Sequence, residues 1–291
     1  MTQTIKNNQT KERHDLIRKI DTCDDEQEKK SLEKKLSKLN NVLFDVEEKM
    51  ETKEKKEQVL LKCTADMLKT FLEKSTVEGF ITDSKLVFGK DGLSVESKDM
   101  AGIIAVKSFL DKSNFNSYNE TEINVKNNKN FIQALSTFGK NVINIVKEDN
   151  MVKLLDENGG FDFVESEETT CLLDSFPKLE FGEPVNIDKN VAKDIITKNN
   201  IIKSEKIDIS TEKRQLTLSV GKDVDKANVK TSFIGDEKFK TSFNFDYFSK
   251  VVNVLNDLFD LYLSSETPVK FSEKTDKYAV DYYLCPITLI E

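Results

Sequence analysis

One apolar pattern occurs twice in this 291-residue chain. Met67, Leu68, Phe71 and Leu72 make a face at i, i+1, i+4 and i+5, with Lys69 and Lys74 off its centre. That spacing predicts an amphipathic helix. The same face returns as Val191, Ala192, Ile195 and Ile196, with Lys193 and Lys198 at the corresponding basic positions. A second face, Phe131, Ile132, Leu135 and Phe138, returns as Tyr247, Phe248, Val251 and Val254. Two matched faces with matched lysines predict a duplicated unit, which confines the chain to folds made of two equivalent halves.

The segments between the helices alternate with period two, as strands do. In the first copy these are Lys85 to Phe88, Gly92 to Glu96 and Ile103 to Ser108. Their counterparts in the second copy are Lys206 to Ile209, Gln215 to Val220 and Asn228 to Phe233. After each second helix come three more candidates: Val142 to Val146, Met151 to Leu155 and Phe161 to Val164, then Leu258 to Leu263, Val269 to Phe271 and Tyr278 to Leu284. Gly159 and Gly160 read as a turn before a strand. The expected class is therefore α+β, with two copies of helix, strands, helix and strands.

Residues 1–57 have a different texture. They contain no Gly or Pro and carry 14 basic and 14 acidic side chains, so the whole net charge of −8 belongs to the remainder. Leu32, Leu36, Leu39, Leu43, Val46 and Met50 recur at alternating steps of four and three. This is the a/d seam of a heptad helix, and it predicts a coiled coil or helical hairpin. Leu16, Ile20 and Cys23 follow the same steps before the seam changes phase. The seam serves either a partner or a charged arm folded on the body.

Composition excludes several chemistries. His14 is the only histidine, and Cys23, Cys63, Cys171 and Cys285 form no CxxC pair, which argues against a histidine-based or zinc centre. No P-loop, nucleophile elbow or HExxH is present, so no catalytic residue, metal or cofactor is expected and the chain does not read as an enzyme. No stretch approaches the roughly 18 apolar residues of a membrane helix. The N-terminus lacks a secretory pattern, which predicts an intracellular location.

Between the copies, Ser166 to Pro184 carries Leu172, Leu173, Phe176, Leu179 and Phe181. A purely flexible linker has no use for so many large apolar side chains. An extended strap over an apolar surface is expected. The organisation predicted is an extension at 1–57, a first copy at 58–167, a connector at 168–183 and a second copy at 184–291.

This duplicated unit resembles the DNA sliding clamps of the proliferating cell nuclear antigen family. Tyr282, Tyr283, Leu284, Cys285, Pro286 and Ile287 are similar to the family's terminal Tyr-Tyr-Leu-Ala-Pro-x-Ile. Gly92 to Asp99, followed by Ile103, is similar to Gly-hydrophobic-x-Leu-x-x-Met-Asp with its following valine. Phe245, Tyr247 and Phe248 match the family's last helix. The likeness covers residues 58–287 and leaves the extension without a counterpart.

The resemblance implies a homotrimeric ring on double-stranded DNA, held by topology without sequence recognition. An ATP-dependent clamp loader would open it, and it would tether DNA polymerase and other clamp-binding-peptide proteins. Lys69, Lys74, Lys140, Lys193, Lys198 and Lys250 would face DNA, although Glu73 and Asp194 thin the basic lining. Ile103, Ala105, Phe176, Pro177, Leu179, Tyr283, Cys285 and Pro286 would form the partner-peptide pocket. Phe161, Phe163, Val229 and Phe233 would lie on the strands, Phe161 to Glu167 and Ala227 to Phe233, that join subunits. The alternative is a clamp-like adaptor, assembled through its coiled coil, that does not encircle DNA.

Overall fold

The computed structural model describes residues 15–20, 29–38, 58–148, 150–167, 169–171, 179–233, 238–263 and 268–287. The chain divides into two compact units, Met1–Gln58 and Val59–Glu291. In the first, 15–20 and 29–38 are helical, with Leu16, Ile17, Ile20, Leu32 and Leu36 half-buried and the other side chains of these segments exposed. The rest of the expected seam, Leu39 to Met50, lies outside the described residues, as does Cys23.

The second unit repeats one order of elements. The first copy runs β1 (Gln58–Thr64), α1 (Ala65–Ser75), β2 (Ser84–Gly89), β3 (Gly92–Lys98), β4 (Ile104–Asp111), β5 (Ser117–Tyr118), β6 (Thr121–Val125), α2 (Asn128–Phe138), β7 (Val142–Glu148), β8 (Met151–Asp156) and β9 (Gly159–Val164). The second runs β10 (Val185–Asp188), α3 (Lys189–Ile202), β11 (Lys206–Glu212), β12 (Gln215–Lys222), β13 (Asp225–Ser232), β14 (Phe239–Asn244), α4 (Phe245–Val254), β15 (Leu258–Tyr262), β16 (Val269–Lys274) and β17 (Tyr278–Leu284). Among the described residues, only β5 and the 3-10 turn Lys112–Asn114 before it lack a counterpart.

The helices form where the apolar faces placed them, and short polar side chains start three of the four. Asn127 accepts from Asn130 N at 3.0 Å, Asp188 from Asn190 N at 2.8 Å, and Asn244 from Asp246 N at 3.0 Å. Each such cap stabilises by about 1 kcal/mol. Leu68, Phe71 and Leu72 of α1 and Phe131, Ile132, Leu135 and Phe138 of α2 are buried together in the first core. The second core holds Ala192, Ile195, Phe248, Val251 and Val254 and also takes Val77, Ile81, Ile104, Val106 and Cys171 from the first copy and the start of the connector.

Three antiparallel sheets carry the helices: β5-β1-β7-β8-β9, β10-β15-β16-β17-β4-β3-β2-β6, and β13-β12-β11-β14. The eight-stranded sheet crosses from one copy to the other where β17 pairs with β4, from Tyr278 opposite Leu110 to Leu284 opposite Ile104. Several sheet edges are covered. Ser166 N donates to Asn124 O of β6 at 3.3 Å, Ile287 N donates to Ser242 O of β14 at 2.8 Å, and β5 lies on β1. β9 remains as an edge of the five-stranded sheet and β13 as an edge of the four-stranded sheet.

The hairpin into β9 needs its glycines. Gly159 has φ +138, and a Cβ on Gly160 would stand 1.9 Å from Leu154 O. Substitution there would displace the edge strand.

Candidate functional site

The helix faces, the two bare edges and the β4–β17 seam are the surfaces that could act. On the helices, the six lysines expected to face DNA separate into three groups. Lys74 is buried: its Nζ donates to Val254 O at 2.6 Å and Asn256 Oδ1 at 3.1 Å, and lies 2.6 Å from Glu273 Oε1. It therefore cannot meet a phosphate, which corrects the expectation from the helix pattern. The groups that capture it come from the other copy, and spacing within α1 carries no trace of them.

Lys69, Lys198 and Lys250 pair on their own helices with Glu73 at 2.9 Å, Asp194 at 2.8 Å and Asp246 at 2.8 Å. Each pair spans one helical turn. Lys250 Nζ also stands 4.7 Å from the Phe80 ring centroid. Lys140 and Lys193 are exposed. Exposed pairs of this kind contribute little to stability, but each cancels a charge that a phosphate would otherwise see. The helix surface is thus polar and close to neutral.

Two lysines hold the C-terminal end of α4. Lys74 takes Val254 O, and Lys189 Nζ donates to Asn253 O at 2.8 Å and to Leu255 O. Unpaired carbonyls at a helix end attract cations. Burial lowers the Lys189 pKa, with Lys193 and Lys74 pushing the same way.

At the β4–β17 seam, the structure gathers five of the eight residues expected in a partner pocket. Ala105 lies opposite Tyr283, Cys285 N donates to Ile103 O at 2.8 Å, and Pro286 follows, half-buried. Leu179 is half-buried on the returning connector, and Phe176 and Pro177 lie outside the described residues. The connector leaves the first copy through Cys171, whose carbonyl accepts from Lys98 N at 2.8 Å. It returns at Phe181, whose ring is 5.9 Å from that of Tyr262 and 6.3 Å from that of Tyr283. Lys270 Nζ sits 3.8 Å from the Tyr262 centroid and 5.3 Å from that of Phe181.

Tyr262 and Lys270 are members of this site that the sequence does not single out. The alternation of β15 and β16 marks them as outward-facing, but nothing local says that a connector ring crosses there. Burial, with Asp281 adding to it, pushes the Tyr283 phenol up to about 12, and burial also raises the Cys285 thiol. Neither group is poised for chemistry at neutral pH.

Asp99 shapes the loop leading into this seam. Its Oδ1 accepts from Ile103 N at 2.7 Å and Ile104 N at 2.8 Å, while Oδ2 accepts from Ala101 N at 3.1 Å and from the Tyr247 hydroxyl at 2.9 Å. One carboxylate so ties β4 of the first copy to α4 of the second.

The residues expected at subunit joints stand on both bare edges. Phe161 is 41% exposed and Phe163 is half-buried on β9. Val229 lies half-buried on β13, with Phe233 just beyond its end. Val164 (63% exposed) on β9, Val224 (90%) before β13 and Ile201 (83%) on α3 are further bare apolar side chains. β9 carries one charged side chain, Asp162, whereas β13 carries Asp225, Lys226 and Lys230.

Two copies of strand-helix-strands-helix-strands, a shared sheet and a connector folded back on it define the sliding-clamp fold. Solved structures agree. The chain is 18% identical to A. fulgidus PCNA bound to the C-terminal region of FEN-1, with a TM-score of 0.68 over 79% of this chain and 99% of that one. For the PCNA2-PCNA3 complex of Sulfolobus tokodaii the values are 21%, 0.64, 78% and 98%, and for the Entamoeba histolytica protein 16%, 0.67, 78% and 98%. No family model and no curated protein sequence matches the chain.

Proposed function

We propose that this chain is a DNA sliding clamp: three copies close into a ring around duplex DNA and tether a polymerase and other proteins that carry a clamp-binding peptide. The observation that carries the reading is the pair of bare edges, β9 on the five-stranded sheet of the first copy and β13 on the four-stranded sheet of the second. Different surfaces on one molecule make a heterologous contact, and a heterologous contact with the right rotation closes into a ring. Pairing also removes the aggregation hazard of two long exposed edges.

Retention by topology requires no tight phosphate contact, which suits a helix surface whose lysines are mostly paired. Contacts there would be mobile and water-mediated. The seam of Ile103, Ala105, Tyr283, Cys285 and Pro286, with the Phe181 ring of the connector beside Tyr283, is the proposed dock for the peptide. The A. fulgidus PCNA holds the C-terminal region of another protein, FEN-1, which supports a peptide as the ligand. Opening such a ring for loading calls for a separate ATP-driven partner.

The near-neutral helix surface also favours a second reading, a clamp-like adaptor that never encloses DNA. Sedimentation equilibrium and a topological assay separate the two. A trimer retained on nicked circular duplex and released on linearisation is the expected result. A trimer retained on neither form would favour the adaptor, and a persistent monomer would overturn both rings.

A further inference from the structure

At the start of their first helices the two copies differ in a way that opens a cavity. The repeat places Thr64 and Ala65 where the second copy has Asp188 and Lys189, and the backbone agrees: Ala65 N donates to Asn141 O at 2.9 Å, and Lys189 N to Asp257 O at 2.7 Å. In the second copy Asp188 caps α3, and Lys189 spans to the carbonyls of Asn253 and Leu255 at the end of α4. In the first copy the Thr64 side chain makes no cap, and the Ala65 methyl is too short for any such span. The space remains as a cavity of about 390 Å³ between the first turns of α1, the end of β4 and the start of β17.

Its walls are of two kinds. Met67, Leu110 and Tyr278 supply the apolar part. Leu110 is buried, and Tyr278 is held in place: its hydroxyl accepts from Asn256 Nδ2 at 3.1 Å, and Lys74 Nζ stands 5.5 Å from its ring centroid. Lys140 and Lys277 supply the charged part. Both are exposed, and neither forms an ion pair among the described residues, in contrast to Lys69, Lys198 and Lys250. Their main chains are fixed. Asn141, beside Lys140, carries the bond from Ala65 and donates from Nδ2 to Asp156 Oδ2 at 3.2 Å. Lys277 O accepts from Asp111 N at 3.2 Å and from Asn114 Nδ2 at 3.1 Å, and Asn114 belongs to the 3-10 turn that has no counterpart in the second copy.

Concave apolar walls with a few convergent polar groups are the mark of a small-ligand site. Two unpaired ammoniums select an anion, and the apolar walls select a flat body attached to it. We propose that this cavity binds a nucleotide, either free or as one unit of single-stranded DNA, with its phosphate on Lys140 and Lys277 and its base against Met67, Leu110 and Tyr278. The Asp66 carboxylate and Thr64 hydroxyl, also in the lining, accept from amino or sugar hydroxyl groups. A base within a duplex does not enter, because it is held in the stack. The choice of a nucleotide over another aromatic anion rests on the clamp reading, which turns the helix layer toward DNA; the cavity itself does not depend on it. A peptide that combines carboxylates with aromatic rings has the same two parts and is the competitor to be separated.

The test uses the full-length chain and the fluorescence anisotropy of a short labelled oligothymidylate, with dTMP, thymidine and a peptide of alternating aspartate and phenylalanine as competitors. The label should bind and dTMP should displace it, while thymidine, which lacks the phosphate, should do so at least about tenfold less well. Lys140→Glu with Lys277→Glu should weaken binding at least about tenfold. Thr70→Trp, which fills the cavity with an uncharged ring, should weaken it as much, with circular dichroism unchanged in both variants. Lys226→Glu, on β13, should leave binding as it is. Weakening by the charge variant alone would show attraction to a surface without use of the cavity, and would overturn the site. Displacement by the peptide and not by dTMP would overturn the nucleotide. Sedimentation of the same samples keeps the two readings apart: a trimer that ignores dTMP loses the nucleotide site and keeps the ring, whereas a monomer that binds it loses the ring and keeps the site.

Discussion

The ammonium of Lys74 lies 2.6 Å from the carboxylate of Glu273, joining α1 of the first copy to β16 of the second with side-chain exposures of 9% and 2%. Both groups are otherwise satisfied: Lys74 by Val254 O and Asn256 Oδ1, and Glu273 Oε2 by Asn256 N at 2.7 Å. A buried pair adds little over an apolar filling, but a buried charge left alone is costly.

Lys74→Met should therefore destabilise the chain by about 3–5 kcal/mol in urea unfolding. Lys74→Met with Glu273→Gln should lose clearly less, because no charge is stranded. Equal losses in the two variants would show that the pair is not what holds this seam.

Three carboxylates mask lysines on the helix faces. Converting Glu73→Gln, Asp194→Asn and Asp246→Asn together should raise affinity for linear duplex at low salt and steepen its salt dependence, as more phosphates are neutralised. Stability should fall by only about 1–1.5 kcal/mol, at about 0.3–0.5 kcal/mol for each of the three i,i+4 pairs. Fluorescence anisotropy with a labelled duplex across a salt series would measure the binding, and urea unfolding the stability; an unchanged salt slope would place these faces away from DNA.

A peptide with one aliphatic and two aromatic anchors is the natural probe of the β4–β17 seam. Tyr283→Ala should weaken its binding at least about tenfold, the scale of a buried aromatic anchor lost at an interface. Assembly should be untouched, since Tyr283 is on neither bare edge. Calorimetric titration and sedimentation of the same preparation would read the two effects separately.

Alkaline pH should unfold the chain in a defined window. Burial, the largest cause in every case, pushes Tyr247, Tyr278 and Tyr283 up to about 12 and Tyr262 and Tyr282 upward as well. The neutral phenols are favoured by the fold, so the native state keeps protons that the unfolded chain has released. Stability is then intact below about pH 10 and falls as pH rises from there toward about 12. Phenolate absorbance and circular dichroism should change together there. Tyrosine ionisation complete before any loss of circular dichroism would count against this coupling.

Much of the fold is readable in the sequence because its two periods are distinct. The helix faces Met67 to Leu72 and Phe131 to Phe138 repeat at about 3.6 residues, and strands such as Lys206 to Ile209 alternate at two. β5, β6, β10 and β14 escape notice because Ser117–Tyr118, Thr121–Val125, Val185–Asp188 and Phe239–Asn244 are short and mix polar with apolar residues, and β1 escapes because Gln58–Thr64 runs directly into the helix at Ala65. The candidate site shows a sharper limit. Lys74 and Lys198 occupy matching places on matching helices, yet one is buried and the other is not. The difference is supplied by Glu273 and Asn256, which pack on α1 only once β16 and β17 have joined β4. Likewise the strap is legible as apolar, while the seat of Phe181 on Tyr262 and Tyr283 depends on that same meeting of strands.

The crossing of the eight-stranded sheet from β17 to β4 has a mechanical consequence. The two copies cannot hinge about their junction without parting seven residue pairs and the Asp99–Tyr247 bond at once. The two copies are consequently held as one compact unit. Relative motion of the two copies is opposed by that whole ladder at once, whereas the outer sides of β9 and β13 carry no ladder within the chain.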